Sequence, residues 1–167
     1  MTDATARVRE SFSIMREAMI RGGSAMRLRA KGDSMGPLIK EGDVIVVRPS
    51  TFEEIGIGDI AVFGVRGKLC AHRLIMKRAK GNRHVLVTKS DRTFTADAPF
   101  GHKNLFGKIS HIQKNALTLN LESSFWVPLN RVLGLYHLIL CQAAVRLRLL
   151  YAVFKKGDAQ RDEQRGE

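Results

Sequence analysis

The sequence predicts a mainly β protein: a coiled, barrel-like β-domain with one helix ahead of it and a helical appendage behind it. Three observations predict this. Residues 3–21 repeat apolar side chains at helical spacing, residues 24–122 break into short strand-like runs, and Val132–Phe154 is apolar almost all round. The 167 residues divide accordingly into an N-terminal helix (1–23), the β-domain (24–122), a C-terminal helical segment (123–155) and a polar, disordered tail (156–167).

In the first helix Val8, Phe12, Met15 and Met19 follow spacings of four, three and four, which builds one apolar stripe for packing on the domain. Gly22-Gly23 ends it, because glycine adopts the left-handed conformation that closes a helix. Ala25–Lys31 then alternates apolar and basic residues, as a half-exposed strand does. Val44–Val47 reads as a buried strand closed by Arg48-Pro49. Ile60–Val65, Lys68–Met76, His84–Thr88, Leu105–Gln113 and Ala116–Leu121 continue the series, with tight turns marked by Gly67 and Asn115. So many short strands between turn signals argue for a barrel-like sheet. Val132–Phe154 is interrupted by His137, Gln142, Arg146 and Arg148. Three roles stay open for it: a cap on the β-domain, a face for a partner, or a helix in a membrane interface with its arginines at the headgroups.

Composition narrows the function classes. Apolar residues make up 44%, enough for a core. The net charge of +12 attracts phosphate, in nucleic acid or on anionic lipid, or simply decorates a solvated surface. Aromatics are 7% and do not interleave with the basic runs, so no stacking platform for single strands, and no specific nucleic-acid partner, is expected. Cys70 and Cys141 sit far apart in apolar runs and read as free buried thiols. His84, His102, His111 and His137 lack ligand spacing to Cys or acidic residues, so neither metal nor cofactor is expected. The N-terminus lacks a secretory signal and no apolar run approaches a span of about twenty residues. A cytoplasmic location is expected, membrane-peripheral if the C-terminal helix lies on lipid.

The chemistry concentrates in Gly32-Asp33-Ser34-Met35-Gly36-Pro37-Leu38-Ile39, followed by Glu41-Gly42-Asp43. Gly32 permits a sharp turn, and Pro37 fixes the chain just after Ser34. A serine on a rigid turn beside backbone N–H groups can attack a carbonyl and hold the resulting oxyanion. Ser34-Met35-x-Pro37 with Gly42-Asp43 resembles the nucleophile box of type I signal peptidases and LexA-like peptidases. Gly58-Asp59-Ile60-Ala61-Val62-Phe63 resembles their second Gly-Asp segment, and Leu105-Phe106-Gly107-Lys108-Ile109 their closing strand. Ala71-His72-Arg73-Leu74-Ile75 is similar to the archaeal and endoplasmic-reticulum branch, whose base is a histidine in a His-Arg pair. The resemblance covers roughly residues 24–114 and lacks that family's N-terminal membrane anchor.

This resemblance implies a serine endopeptidase that cleaves an extended segment of a protein or precursor peptide. Ser34 would be the nucleophile and His72 the general base, with Asp91 of Thr88-Lys89-Ser90-Asp91 supporting the imidazole. In that stretch Ser90 stands where the family has glycine, and Asp97 follows as a second carboxylate for the same role. Gly32, Ser34 and Met35 would form a backbone oxyanion site, and Lys89 is the alternative base, provided burial removes its charge. About thirty residues precede the Ser34 box, too few for a helix-turn-helix domain, which disfavours a self-cleaving repressor. The alternative is a catalytically silent binding module of the same fold that works through its basic surface.

Overall fold

A computed structural model describes residues 3–65, 67–81 and 83–165. Helix α1 (Asp3–Gly22) leads into strands β1 (Met26–Arg29), β2 (Val44–Pro49), β3 (Ile60–Val65), β4 (Lys68–Lys80), β5 (Arg83–Lys89), β6 (Phe100–Gly101), β7 (Leu105–Lys114) and β8 (Leu117–Asn120). Helix α2 (Trp126–Arg165) follows. The strands form one curled, antiparallel half-barrel in the order β1-β2-β7-β3-β4-β5-β6, with β8 beside the far end of β7.

Register breaks between β2 and β7, β3 and β7, and β4 and β5 supply the coiling, because each bulge adds local twist. Strand β3 is buried on both faces, which explains its unbroken apolar run. Ile60 and Val62 enter one core cluster with Met35, Ile39, Ile45 and Phe106, whereas Ala61 and Phe63 enter another with Phe52, Leu74 and Leu86. Met19 of α1 is buried in the first cluster with Met15 packed against it, and Arg16 Nε donates to the Leu105 carbonyl at 2.6 Å. Val8 and Phe12, expected on the same stripe, lie outside the residues whose side chains are described.

The departures from the sequence reading that have a clear physical reason are at β4, β6 and α2. Strand β4 runs to Lys80 rather than Met76, because its outer arm is a basic hairpin whose ladder holds without an apolar pattern. Strand β6 is a two-residue pairing with β5, too short to leave a periodic signal. Helix α2 begins at Trp126 and stays helical through Arg165, where a disordered tail from 156 was expected. Ser123 caps its start by accepting from the Trp126 N–H at 3.4 Å. Its polar end, residues 155–165, carries two Lys, two Arg and two Gln, residues of good helix propensity. Residues 166–167 lie outside the described residues. Among the described residues no helix is long and apolar enough to cross a membrane.

Candidate active site

Ser34 lies on the turn that joins β1 to β2, exposed between two buried anchors that follow it, Met35 and Ile39. The turn is held from within: the Gly36 N–H donates to the Asp33 carbonyl at 2.9 Å, the Ile39 N–H to the Met35 carbonyl at 2.9 Å, and the Glu41 N–H to Asp33 Oδ1 at 3.1 Å. These internal bonds begin at Gly36, one residue after the Ser34 and Met35 amides. Gly32 enters the turn at φ +76°, a left-handed conformation that suits glycine. From outside, Ser90 Oγ donates to the Ser34 carbonyl at 2.5 Å and the Arg92 N–H to the same oxygen at 3.3 Å. Ser90 is thus a clip on the turn that carries Ser34.

Ser34 and His72 line one cavity of about 330 Å³, whose other walls include Leu28, Ala30, Met35, Ile45, Val62 and Leu69. His72 stands on β4 opposite Ala61 of β3. Its Nδ1–H donates to Asp97 Oδ2 at 2.7 Å. With that proton on Nδ1, Nε2 is the ring nitrogen left to accept. Asp97 is itself held at both ends by Thr88: its N–H donates to the Thr88 carbonyl at 2.8 Å, and Thr88 Oγ1 donates to Oδ2 at 2.7 Å. Burial pushes the Asp97 carboxyl upward, but the hydrogen bonds from His72 and Thr88 outweigh it and hold the group below its ordinary 3.8. Asp97 is therefore ionised at neutral pH and fixes the imidazole.

The expected support from Asp91 is not what the geometry shows. Asp91 takes a two-pronged pair from Arg73, with Nε at 2.9 Å and Nη2 at 2.7 Å, and its Oδ1 stands 3.2 Å from His137 Nε2. The reason is strand alternation. His72 and Arg73 are neighbours on β4 and point to opposite faces, so Asp91 meets Arg73 while the 90–99 loop returns Asp97 over the other face. Lys89 is directly opposite Arg73 across the β4–β5 ladder and shares that far face. Its Nζ donates to the Ser90 carbonyl at 2.7 Å and to His137 Nδ1 at 2.9 Å, and it does not line the cavity. Burial pulls its pKa down, yet it has no line to Ser34 as the alternative base.

Sequence reasoning missed Thr88, Ser90, Asn130 and His137. Thr88 and Ser90 flank Lys89 and were visible as polar residues at a strand end, but their partners depend on loop closure. Asn130 and His137 sit on α2, seven apart, a spacing that puts both on one helix face. Among the described residues no group of three His, Cys, Asp or Glu side chains comes together to hold a metal ion. The Peptidase S24-like family model matches residues 2–100, which include Ser34, His72, Asp91 and Asp97 and leave out α2. No curated protein matches the chain.

Proposed function

Because the chain belongs to the Peptidase S24-like family, within the LexA and signal peptidase I superfamily, we propose that it is a serine endopeptidase working through Ser34, His72 and Asp97. The observation that carries this reading is His72, which lines one cavity with Ser34 and is paired to Asp97 at 2.7 Å. Ser34 Oγ attacks the scissile carbonyl as His72 Nε2 takes its proton, and the Asp97 carboxylate steadies the imidazolium. The backbone N–H groups of Ser34 and Met35, beside Gly32, receive the oxyanion. Collapse breaks the C–N bond with proton return to the leaving amine, and water then releases the acyl group by the same steps in reverse.

The substrate is an extended segment. Strand β1 is the edge of the sheet, and a peptide laid along it as an added strand brings one side chain over the cavity. The cavity's apolar walls favour an uncharged residue there. Incubation with a library of unstructured peptides checks this: the wild type cuts at a defined set of bonds, and Ser34→Ala falls to the uncatalysed background. Equal cutting by Ser34→Ala, or none by either, would favour the silent binding module.

The outer face of α2 supports a peripheral contact with an anionic bilayer. Val132, Leu135, Tyr136, Ile139 and Leu147 are half to three-quarters exposed, and Arg131, Arg146 and Arg148 are exposed along the same helix. Lipid headgroups match both features, and the chain's net charge of +12 draws it to them. Co-sedimentation with phosphatidylserine vesicles is expected at low salt and lost in Ile139→Asp/Leu147→Asp; equal sedimentation of the two overturns it.

A further inference from the structure

Helix α2 presents an inverted pattern. Its outward side carries the exposed Val132, Tyr136 and Ile139, whereas its buried side carries Asn130, Gly134, His137 and Cys141 at spacings of four, three and four. A helix that turns polar groups inward must have partners for them there, since an unpaired buried polar group is costly. The partners are Arg73 of β4 and Lys89 of β5, on the face opposite His72, with Asp91 beside them.

The contacts form one continuous path. The Lys89 ammonium donates to His137 Nδ1 at 2.9 Å, and His137 Nε2 stands 3.2 Å from Asp91 Oδ1. Asp91 binds Arg73 through both its oxygens, and Arg73 Nη1 donates to Asn130 Oδ1 at 3.0 Å and the Gly58 carbonyl at 2.9 Å. The proton direction at Lys89 is consistent: a neutral His137, bare at Nδ1, accepts from the ammonium. Lys89 and Arg73 are each about 1% exposed or less, so water does not stand in for these bonds. One end of the path reaches the base, because Arg73 follows His72 on β4. The other reaches the nucleophile, because Lys89 holds the Ser90 carbonyl while Ser90 Oγ holds the Ser34 carbonyl.

We propose that this buried chain is the positioning device of the site, with His137 and Asn130 making α2 part of the frame that sets Ser34 against His72. The proposal rests on the peptidase reading for its purpose, though its geometry does not. It names His137, Asn130 and Ser90 as positioning residues, none of them acting on substrate. The backbone agrees with a built seat rather than a loose cover. Gly134 and Gly58 face each other so closely that a Cβ on Gly134 would stand 2.7 Å from Gly58 Cα.

The test compares His137→Leu with His137→Gln in the full chain. Leucine fills the space without a polar atom, whereas the glutamine amide offers one acceptor and one donor at about the spacing of the two ring nitrogens. Three readouts are taken: hydrogen exchange of the Arg92 amide, which bonds the Ser34 carbonyl; the NMR titration of the His72 imidazole; and the phosphonylation rate of Ser34 by a fluorophosphonate. For His137→Leu we expect Arg92 exchange at least roughly tenfold faster. We also expect a displaced His72 titration and Ser34 labelling roughly 10- to 100-fold slower, the penalty of a misplaced reacting group. His137→Gln should restore all three. Wild-type values for His72 and Ser34 in His137→Leu overturn the proposal, even if Arg92 exchange changes. If the wild type itself is not labelled, the peptidase reading fails and the His72 titration alone decides the clamp: moved by Leu and restored by Gln upholds it, unmoved overturns it. Should His137→Leu not fold, Ser90→Ala, which opens the path at its Ser34 end, is judged by the same readouts.

Discussion

Two histidine–aspartate pairs flank β4, one on each face. His72–Asp97 stands on the cavity wall, with the carboxylate about a third exposed. His137–Asp91 lies behind it, both side chains near a tenth exposed and both tied further, to Lys89 and to Arg73. The residue types are the same and the surroundings reverse their use. A pair that faces a cavity leaves one ring nitrogen able to accept a proton from the cavity side. A buried pair tied to a lysine and an arginine holds its neighbours in place.

Exchanging the lesions between the pairs gives the largest expected contrast. Asp97→Asn removes the charge that fixes the imidazole and should lower peptide cleavage by roughly 10³- to 10⁴-fold, with urea midpoint little changed. Asp91→Ala leaves Arg73 buried without its partner and should cost about 3–5 kcal/mol of stability, read by the same urea titration. If Asp91→Ala stays as stable as the wild type while cleavage disappears, the roles of the two aspartates are reversed.

The back pair also answers to the seating of α2. Gly134→Ala forces a methyl against the Gly58 backbone, and the helix must lift. A loss of about 1–3 kcal/mol is expected, with cleavage falling in parallel; an unchanged melting temperature would mean that α2 already sits loosely.

A smaller effect separates the pairs by pH. Burial and then the Lys89 charge push the His137 imidazole below its ordinary 6.5, against the pull of Asp91. The unfolded chain therefore binds a proton that the folded one does not, and stability falls as pH drops below about 6.5. His137→Gln should flatten that slope. Asp97 adds its own loss further down: its carboxyl is held below 3.8, so its contribution is present above that value and fades as pH falls beneath it. A urea midpoint that falls equally between pH 7.5 and 5.5 in wild type and His137→Gln would remove His137 from the account.

Much of this was legible in the residues. The turn that carries Ser34 and the strand that carries His72 follow from motifs whose local geometry is short-range. The choice between Asp91 and Asp97 was not. It depends on which face of β4 each carboxylate reaches, and that is set by the pairing of Arg73 with Lys89 and by a loop that closes on Thr88. Strand alternation made Asp91 a partner for Arg73 as soon as the β4–β5 register was known. The polar side of α2 was hidden for a different reason. His137 read as an interruption of an apolar run because the helix exposes its hydrophobic side and buries its polar one.

The central claim is that Ser34 is a nucleophile whose proton goes to His72. Fluorophosphonate treatment followed by peptide mass spectrometry tests it most directly, on the wild type and on His72→Ala. The account predicts an adduct on Ser34 in the wild type and its near-disappearance in His72→Ala. Equal labelling of Ser34 in both chains, or an adduct that forms elsewhere and never on Ser34, would contradict it.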